Sequence, residues 1–286
     1  MIRKRFLRSS AILVSSVASI LPSTAAKASE NSSKLTKKLR ETVHLQSANS
    51  PGTGTSGSTG DPPRQDKPRF DWKKQIVTTT FWIGEKPTRN NPVPNHQSSW
   101  DGDWAKNYGG TDTPDPSKRI DFRPVAFEPQ QNPFYVALPY NDIMKGGRHK
   151  PEASKVIPWF QDAYRGDGKT VCKGRWIAIR FGDRIAYAQW EDCGPFRTDH
   201  WEYVFGDERP KPNLNQGAGL DVSPAVRDYL GMADTDVTDW KFIEFSEVPE
   251  GPWSIHGTNN TFVLNKRMKE LQVVLAESIL LRAPRL

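Results

Sequence analysis

The segment VCKGRWIAIRFGDRIAYAQWEDC, residues 171–193, predicts a β-hairpin. Apolar and polar residues alternate on both sides of Gly182-Asp183, and glycine at the first central position suits a two-residue type II′ turn. With that turn, Cys172 faces Cys193 at a non-hydrogen-bonded position, where a Cα spacing of about 4.5 Å is within disulfide range. We therefore expect a cross-strand disulfide. The alternative is a pair of reduced, buried thiols, and a bulge in either strand would shift the register.

Further elements are predicted on both sides of the hairpin. Strands are expected at Gln75–Ile83, Phe134–Leu138 and Trp240–Phe245, and Ser223 and Pro224 open a short helix that Gly231 closes. Residues 261–282 carry apolar side chains at helical spacing and predict a C-terminal helix that packs on the preceding β-rich domain or on a partner. Residues 84–131, crowded with Pro, Gly, Asn and Asp, predict a long loop that is either functional or an insertion.

The N-terminal residues have the composition of a targeting segment. Residues 1–28 combine four early basic residues, an apolar run that is too short to span a membrane, and Ala26-Lys27-Ala28, a small-x-small cleavage pattern. We expect a signal peptide cleaved near Ala28 and a secreted or periplasmic protein. Residues 29–70, rich in Ser, Gly, Pro and Lys, predict a disordered tether.

The overall charge does not favour a nucleic-acid partner. The chain has 40 basic and 33 acidic residues, but five of the basic ones belong to the signal peptide, which leaves 35 against 33, or a net charge of +2. No basic stripe interleaved with aromatic residues remains. The five histidines are dispersed and the two cysteines form no Cys-x-x-Cys pair, so we expect neither a metal nor a cofactor.

Two aspartates lie at predicted strand ends beside glycines. Asp192 occurs in Glu-Asp-Cys-Gly-Pro-Phe (191–196) and Asp221 in Gly-Ala-Gly-Leu-Asp-Val-Ser (217–223). Small neighbours allow a bulky substrate to approach the backbone while the carboxylate projects towards it. The structural alternatives are that Asp192 is a turn residue and Asp221 a capping or helix-dipole residue.

These two motifs resemble those of the rare-lipoprotein-A-like and expansin-like double-psi β-barrels. In those families one strand ends in Asn-Asp-Arg-Gly-Pro-Phe and a Gly-x-Leu/Ile-Asp-Leu-Ser segment opens a helix. Thr-Phe-Trp-Ile-Gly-Glu (80–85) and Phe-Tyr-Val-Ala-Leu-Pro (134–139) look like two further family segments. The resemblance covers about residues 76–247 and implies a mainly β fold, a six-stranded double-psi barrel with short helices. We expect this barrel domain over residues 71–252, with the 84–131 segment as an insertion and a helical extension over 253–286.

The resemblance also implies a groove that binds β-1,4-linked glycan, with Asp192 and Asp221 as its catalytic carboxylates. Lytic transglycosylases with this barrel protonate the glycosidic oxygen with an aspartic acid, and the 6-hydroxyl of the sugar closes onto the anomeric carbon. Two carboxyl groups that face one groove raise each other's pKa, as a general acid requires. The sequence leaves open which aspartate is the acid.

Two departures from the family pattern bear on the chemistry. The opening strand, residues 78–84, carries no carboxylate, so an inverting hydrolase is disfavoured. Tyr135 occupies the position of a family histidine, and tyrosine is a poor base at neutral pH.

Several aromatic and small residues are candidates for contact with a sugar. Trp201, Tyr203 and Phe205 would point one way in an extended segment and offer a stacking platform, although an ordinary core stripe has the same pattern. Trp82 and Tyr135 are further aromatic candidates, and Gly194 and Gly219 would let the glycan approach the backbone.

The sequence thus favours an exported peptidoglycan lytic transglycosylase. The main alternative is a non-catalytic, expansin-like protein that binds β-1,4-glycan and loosens the wall, and a third possibility is a structural or inhibitory protein on a degenerate barrel. The expected partner is a cell-wall polysaccharide, peptidoglycan or another β-1,4-glycan, so we expect the exported protein to be cell-wall associated. We expect neither a nucleic acid nor a membrane span.

Overall fold

The computed structural model describes residues 70–88 and 91–282, with side chains up to residue 275. The expected signal peptide, and the expected tether up to residue 69, lie outside the described residues. The strands are β1 (Lys73–Thr80), β2 (Arg119–Ile120), β3 (Arg123–Pro124), β4 (Tyr135–Leu138), β5 (Arg175–Phe181), β6 (Arg184–Cys193), β7 (Leu220–Val222) and β8 (Thr235–Phe242). The α-helices are α1 (Trp104–Tyr108), α2 (Ala153–Val156), α3 (Phe160–Ala163), α4 (Trp201–Val204), α5 (Pro224–Leu230) and α6 (Thr261–Arg282).

Six of these strands form a closed barrel in the order β1-β7-β4-β6-β5-β8. The pairs β1/β7 and β4/β6 are parallel, and the other four pairs around the barrel are antiparallel. Only β5 and β6 are neighbours both in the barrel and along the chain without an intervening element. The described part of the chain is therefore a mainly β fold, as expected, with a few helices around the barrel.

Large apolar side chains fill the barrel interior. Trp190, Trp240, Ile177, Val136 and Leu220 come from five different strands and all have 0% exposure. Burial of a large apolar side chain contributes about 1.5–3 kcal/mol relative to leaving it in water. Closure of the sheet around these side chains leaves alternate residues of each strand facing outward.

The predicted hairpin is confirmed. Strands β5 and β6 pair in the expected register, from Phe181 opposite Arg184 to Arg175 opposite Trp190. Gly182 has φ = +55°, the left-handed backbone that favours glycine at this turn position.

The predicted disulfide is wrong, because both cysteines are free thiols. Strand β5 begins only at Arg175, whose amide donates to the Cys172 carbonyl at 3.1 Å. This turn interrupts the regular ladder before Cys172 is reached. Extrapolation of the ladder to a pair with Cys193 therefore fails.

The capping prediction for α5 is confirmed. The Ser223 hydroxyl accepts a hydrogen bond from the Val226 amide at 3.3 Å, and Pro224 occupies the first helical position. Gly231 ends the helix in the left-handed conformation, with φ = +73°. The short strand β7, which carries Asp221, immediately precedes this helix. The capped start of the helix therefore fixes where β7 ends.

Two predicted strands are displaced towards the N-terminus. The first was expected at Gln75–Ile83 and is Lys73–Thr80, and the last was expected at Trp240–Phe245 and is Thr235–Phe242. Both shifts have one cause. Strands β1 and β8 pair antiparallel with Thr79 opposite Thr235, so polar residues at these positions belong to the barrel strands.

The predicted C-terminal helix is confirmed as α6. Its first turn packs on the barrel, where the Phe262 ring lies 5.7 Å from that of Trp176. From Leu271 to Leu275 its apolar side chains are exposed. Among the described residues, no helix is both long enough and apolar enough to cross a membrane.

The segment 84–131, expected to be a long loop, contains α1 and the small β2/β3 sheet. Trp104 and Tyr108 of α1 are buried in a second, smaller apolar cluster with Phe81 and Tyr135. The Tyr135 ring lies 5.4 Å from the rings of both Phe81 and Trp104. The segment is thus packed as a layer on the outside of β1 and β4.

Candidate functional site

Asp192 and Asp221 lie on the same face of the barrel sheet, on either side of Ala137. The middle strand β4 pairs Ala137 with Asp192 of β6 on one side and with Asp221 of β7 on the other. Adjacent strands are about 4.8 Å apart, so the two Cα atoms are roughly 10 Å apart across the sheet. Because alanine has a short side chain, the two carboxyl groups face the same open space.

A register shift in β6 aims Asp192 outward. Val136 of β4 pairs with Trp190, but the next residue, Ala137, pairs with Asp192, so Glu191 is an extra residue in the ladder. In an uninterrupted strand, Asp192 would share the face of Trp190, which points into the barrel core. The bulge at Glu191 moves Asp192 to the outer face, where Asp221 also lies.

The extra residue, Glu191, is itself buried. Its Oε1 accepts a hydrogen bond from Asn259 at 3.1 Å, and its Oε2 lies 3.8 Å from Lys173 Nζ. Desolvation raises the pKa of Glu191 to about 7, while the nearby lysine opposes the shift. These contacts tie the bulge to the segment before the C-terminal helix and give Glu191 a structural role.

The two aspartates line one open groove of about 640 Å³. Gly194 also lines it, and a Cβ at that position would lie 3.4 Å from Asp221 Oδ2. Phe196 lies at the same groove with its side chain 45% exposed and with φ = +58°, a backbone conformation that is unusual for a residue with a side chain. An exposed aromatic ring at an acidic groove is the type of surface on which a sugar ring can stack.

Asp221 is half-buried and has fewer hydrogen-bond donors around its carboxyl group than Asp192. Its Oδ1 accepts a hydrogen bond from the Thr79 hydroxyl of the paired strand β1. Burial raises the pKa of Asp221 to about 7, and the charges of Asp192 and Glu85 add to that shift. A substantial fraction of Asp221 therefore retains its proton at neutral pH.

Asp192 is buried, but its carboxyl group accepts more hydrogen bonds from the protein than that of Asp221 does. Its Oδ1 accepts hydrogen bonds from the amides of Ser99 and Cys193, both at 2.7 Å. Burial raises the pKa of Asp192 to about 6, while the two amides oppose the shift because they stabilise the carboxylate. Asp192 therefore ionises before Asp221 as the pH rises.

Glu85 is a third carboxylate on this groove, and the sequence analysis did not identify it. It follows Gly84 directly and thus lies one residue beyond the predicted opening strand, residues 78–84, which contains no carboxylate. Its Oε2 accepts hydrogen bonds from Asn91 at 3.2 Å and Asn95 at 2.9 Å. Desolvation raises the pKa of Glu85.

The expected aromatic platform after Gly-Pro-Phe is wrong in its geometry. Trp201–Val204 is a short helix rather than an extended segment, so the three aromatic residues do not alternate along a strand. Tyr203 has 0% exposure, and its hydroxyl accepts a hydrogen bond from Trp240 Nε1 at 2.7 Å. Trp201 is half-buried against the barrel core.

Of the other predicted contact residues, two pack inside the protein and one lines a second pocket. A Cβ on Gly219 would lie 2.7 Å from the Tyr203 hydroxyl, so this glycine permits close packing of the chain. Tyr135 has 0% exposure, and its hydroxyl donates to Asp112 at 2.9 Å and accepts from the Ile83 amide at 3.0 Å. Trp82 lines a neighbouring pocket rather than the groove of the aspartates. Of the six predicted substrate-binding residues, Gly194 is the one that shares the groove with both aspartates.

One group of side chains in the described part of the chain has the spacing of a possible metal site. Ligand atoms of His200, Glu202 and Glu208 lie within 4.8 Å of one another. His200 Nε2 is already within hydrogen-bond distance, 3.2 Å, of Glu208 Oε2, and that carboxylate is largely exposed. The contact between histidine and glutamate accounts for this arrangement without an ion.

The groove can combine acid catalysis with charge stabilisation. At neutral pH it presents a carboxylic acid that retains its proton beside a carboxylate held by two amides, which is how paired acidic residues divide their roles in acid catalysis.

No model of a known protein family matches this chain, and no curated protein matches it.

Proposed function

We propose that this chain is an exported glycan-active protein, most specifically a peptidoglycan lytic transglycosylase on a double-psi β-barrel. The resemblance of the two aspartate motifs to the rare-lipoprotein-A-like proteins supports the family, and the targeting-type composition of residues 1–28 supports the export. The two parallel strand pairs within a six-stranded barrel are compatible with the double-psi topology. Asp192, Asp221 and Glu85 around one groove are the observation that carries the proposal.

In the proposed reaction Asp221 is the general acid. It donates its proton to the glycosidic oxygen as the bond between that oxygen and the anomeric carbon breaks. The 6-hydroxyl oxygen of the same sugar forms a bond to the anomeric carbon, and its proton passes to the Asp221 carboxylate, which regenerates the acid. No water is consumed, and the products are a free 4-hydroxyl and a 1,6-anhydro sugar.

Asp192 is assigned the electrostatic role. Its carboxylate is stabilised by the amides of Ser99 and Cys193, so it stays ionised where Asp221 remains protonated. A negative charge on this side of the groove stabilises the positive charge that develops on the anomeric carbon. The same charge contributes to the raised pKa of Asp221.

The test is incubation of the purified full chain with peptidoglycan strands, followed by mass spectrometry of the new ends. The proposal predicts 1,6-anhydro ends that disappear in Asp221→Asn and decrease strongly in Asp192→Asn. Asp183→Asn, at the exposed hairpin turn, is the matched control and should leave the ends unchanged.

Two other outcomes would replace this function. New reducing ends would indicate hydrolysis, which consumes water. Binding to the strands without any new ends would support the expansin-like alternative, in which the groove grips the glycan and does not cut it.

A further inference from the structure

A second pocket, of about 760 Å³, adjoins the groove of the aspartates. Glu85 and Thr88 line both cavities, so the two cavities adjoin at these residues. The wall of the second pocket comes from residues 82–88 and from residues 111–126 of the 84–131 segment. The proposed reaction leaves this part of the molecule without a role.

The wall of this pocket is fixed by buried contacts. Gly84 has φ = +83°, and a Cβ there would lie 2.6 Å from Thr111 Cγ2. The absence of a side chain at Gly84 therefore allows the two chain segments to pack this closely. The Asp112 amide donates to the Ile83 carbonyl at 2.9 Å. Arg119 neutralises the buried Asp112 carboxylate through an ion pair whose side chains are almost fully buried. The pocket therefore exists before any ligand binds.

The two cavities differ in their charged residues. The groove is lined by three carboxyl groups and by Arg197, whereas the second pocket is lined by Lys86, Lys118 and the half-buried indole of Trp82, with threonine and serine side chains and the carboxyl groups of Glu85 and Asp112. Lys118 Nζ lies 3.4 Å from Asp115, but both side chains are exposed, and an ion pair of this kind contributes little. The Asp112 charge is neutralised by Arg119, and Glu85, at the junction, already accepts hydrogen bonds from two asparagine amides.

A neutral β-1,4-glycan would offer these lysines only uncharged hydroxyl and carbonyl oxygens, which form weaker hydrogen bonds with an ammonium group than a carboxylate does. A ligand with its glycosidic bond in the groove and a negative group on the neighbouring sugar would satisfy both cavities. Ammonium groups form strong, charge-assisted hydrogen bonds with carboxylates, and the Trp82 ring offers an apolar face for C–H groups of the ligand.

We propose that the pocket of Trp82, Lys86 and Lys118 binds a carboxylate-bearing substituent of the glycan, so that the protein selects acidic over neutral β-1,4-glycans. This inference rests on the proposed function, since it assumes that glycan lies in the groove of the aspartates. Peptidoglycan carries carboxylates of two origins, the lactyl ether of its muramic acid and the attached peptides. Either one has the required chemistry.

The experiment measures binding of three ligands by calorimetry: neutral chitin oligosaccharides, peptide-free peptidoglycan strands and peptide-substituted strands. The Asp221→Asn chain serves as background, so that no ligand is cleaved. We expect at least one acidic ligand to bind about 10-fold more tightly than chitin, because two charge-assisted contacts are added. The preference should decrease with salt. The peptide-free and peptide-substituted arms identify which carboxylate is bound.

The deciding variant is Lys86→Gln with Lys118→Gln, compared with Lys106→Gln, an exposed lysine that lines neither cavity. The double variant should lose the preference for acidic strands and keep its affinity for chitin, and the control should change neither. Equal affinity for all three ligands, or an unchanged preference in the double variant, would overturn the inference while cleavage by the unmodified chain still supported the proposed function. Failure of every protein to bind any of the three ligands would overturn both.

Discussion

Replacement of Asp221 by Asn should stabilise this protein at neutral pH. The carboxyl group of Asp221 is desolvated and faces the charges of Asp192 and Glu85, which together raise its pKa from 3.8 to about 7. An amide has nearly the same shape, keeps an oxygen that can accept the hydrogen bond from Thr79 and never ionises. The substitution therefore removes the cost of placing a negative charge at this position.

The expected magnitude follows from the pKa. Between pH 4 and pH 7 the folded state retains a proton that the unfolded state has lost, so the free energy of unfolding decreases as the pH rises through this window. Each pKa unit corresponds to about 1.4 kcal/mol, which sets an upper limit of about 4 kcal/mol for a shift from 3.8 to about 7. Because the groove is open to water, we expect Asp221→Asn to gain about 2–4 kcal/mol over the unmodified chain at pH 8.

The assay is urea denaturation at several pH values between 4 and 8, with Asp183→Asn as the matched control in the exposed hairpin turn. The difference in unfolding free energy between Asp221→Asn and the unmodified chain should be close to zero near pH 4 and reach its maximum above pH 7. The control should follow the unmodified chain throughout. A constant difference across the whole pH range would refute the reasoning, because it would mean that Asp221 ionises equally in the folded and unfolded states.

Three further substitutions test the surroundings of the groove. Arg119→Gln leaves a buried carboxylate without its charge partner and should cost about 3–5 kcal/mol, measured by denaturation. Gly219→Ala should cost about 1–3 kcal/mol through overpacking, whereas Gly102→Ala, with open space around it, should be nearly neutral. Phe196→Ala should leave stability unchanged and weaken glycan binding about 3–10-fold, measured by calorimetry; unchanged affinity would remove Phe196 from the site.

The elements that the sequence predicted well are those encoded locally. Gly182 and the alternating residues beside it specify a hairpin, and Ser223, Pro224 and Gly231 specify a helix with both of its ends. Each of these signals lies within a few residues of the structure that it forms. The predicted bounds of β1 and β8 were less accurate, because these two strands pair with each other across some 160 residues.

The geometry of the groove could not be derived from the sequence for the same reason. The position of Asp192 depends on a bulge at Glu191, which exists only relative to β4. The turn that separates Cys172 from the hairpin ladder is equally invisible to a count of alternating residues. Tyr203 belongs to a helix that packs inward, although its neighbours alternate like those of a strand.

Glu85 and Phe196 are absent from the predicted site although both belong to segments that resemble the family. Glu85 ends the Thr-Phe-Trp-Ile-Gly-Glu segment, and Phe196 ends the Glu-Asp-Cys-Gly-Pro-Phe motif. Only the fold reveals that both line the groove of the aspartates. A carboxylate or an aromatic ring at the end of a recognised motif is therefore a useful site candidate.

The central claim is that Asp192 and Asp221 share one groove and that Asp221 keeps its proton near neutral pH. The most direct measurement is NMR titration of the carbon-13-labelled aspartate carboxyl groups, in the unmodified chain and in Asp192→Asn. We predict one titration near pH 6 for Asp192 and one near pH 7 for Asp221, with the second moving to lower pH in the variant. Titration of both groups near pH 4, or an Asp221 titration that does not respond to loss of the Asp192 charge, would contradict the account.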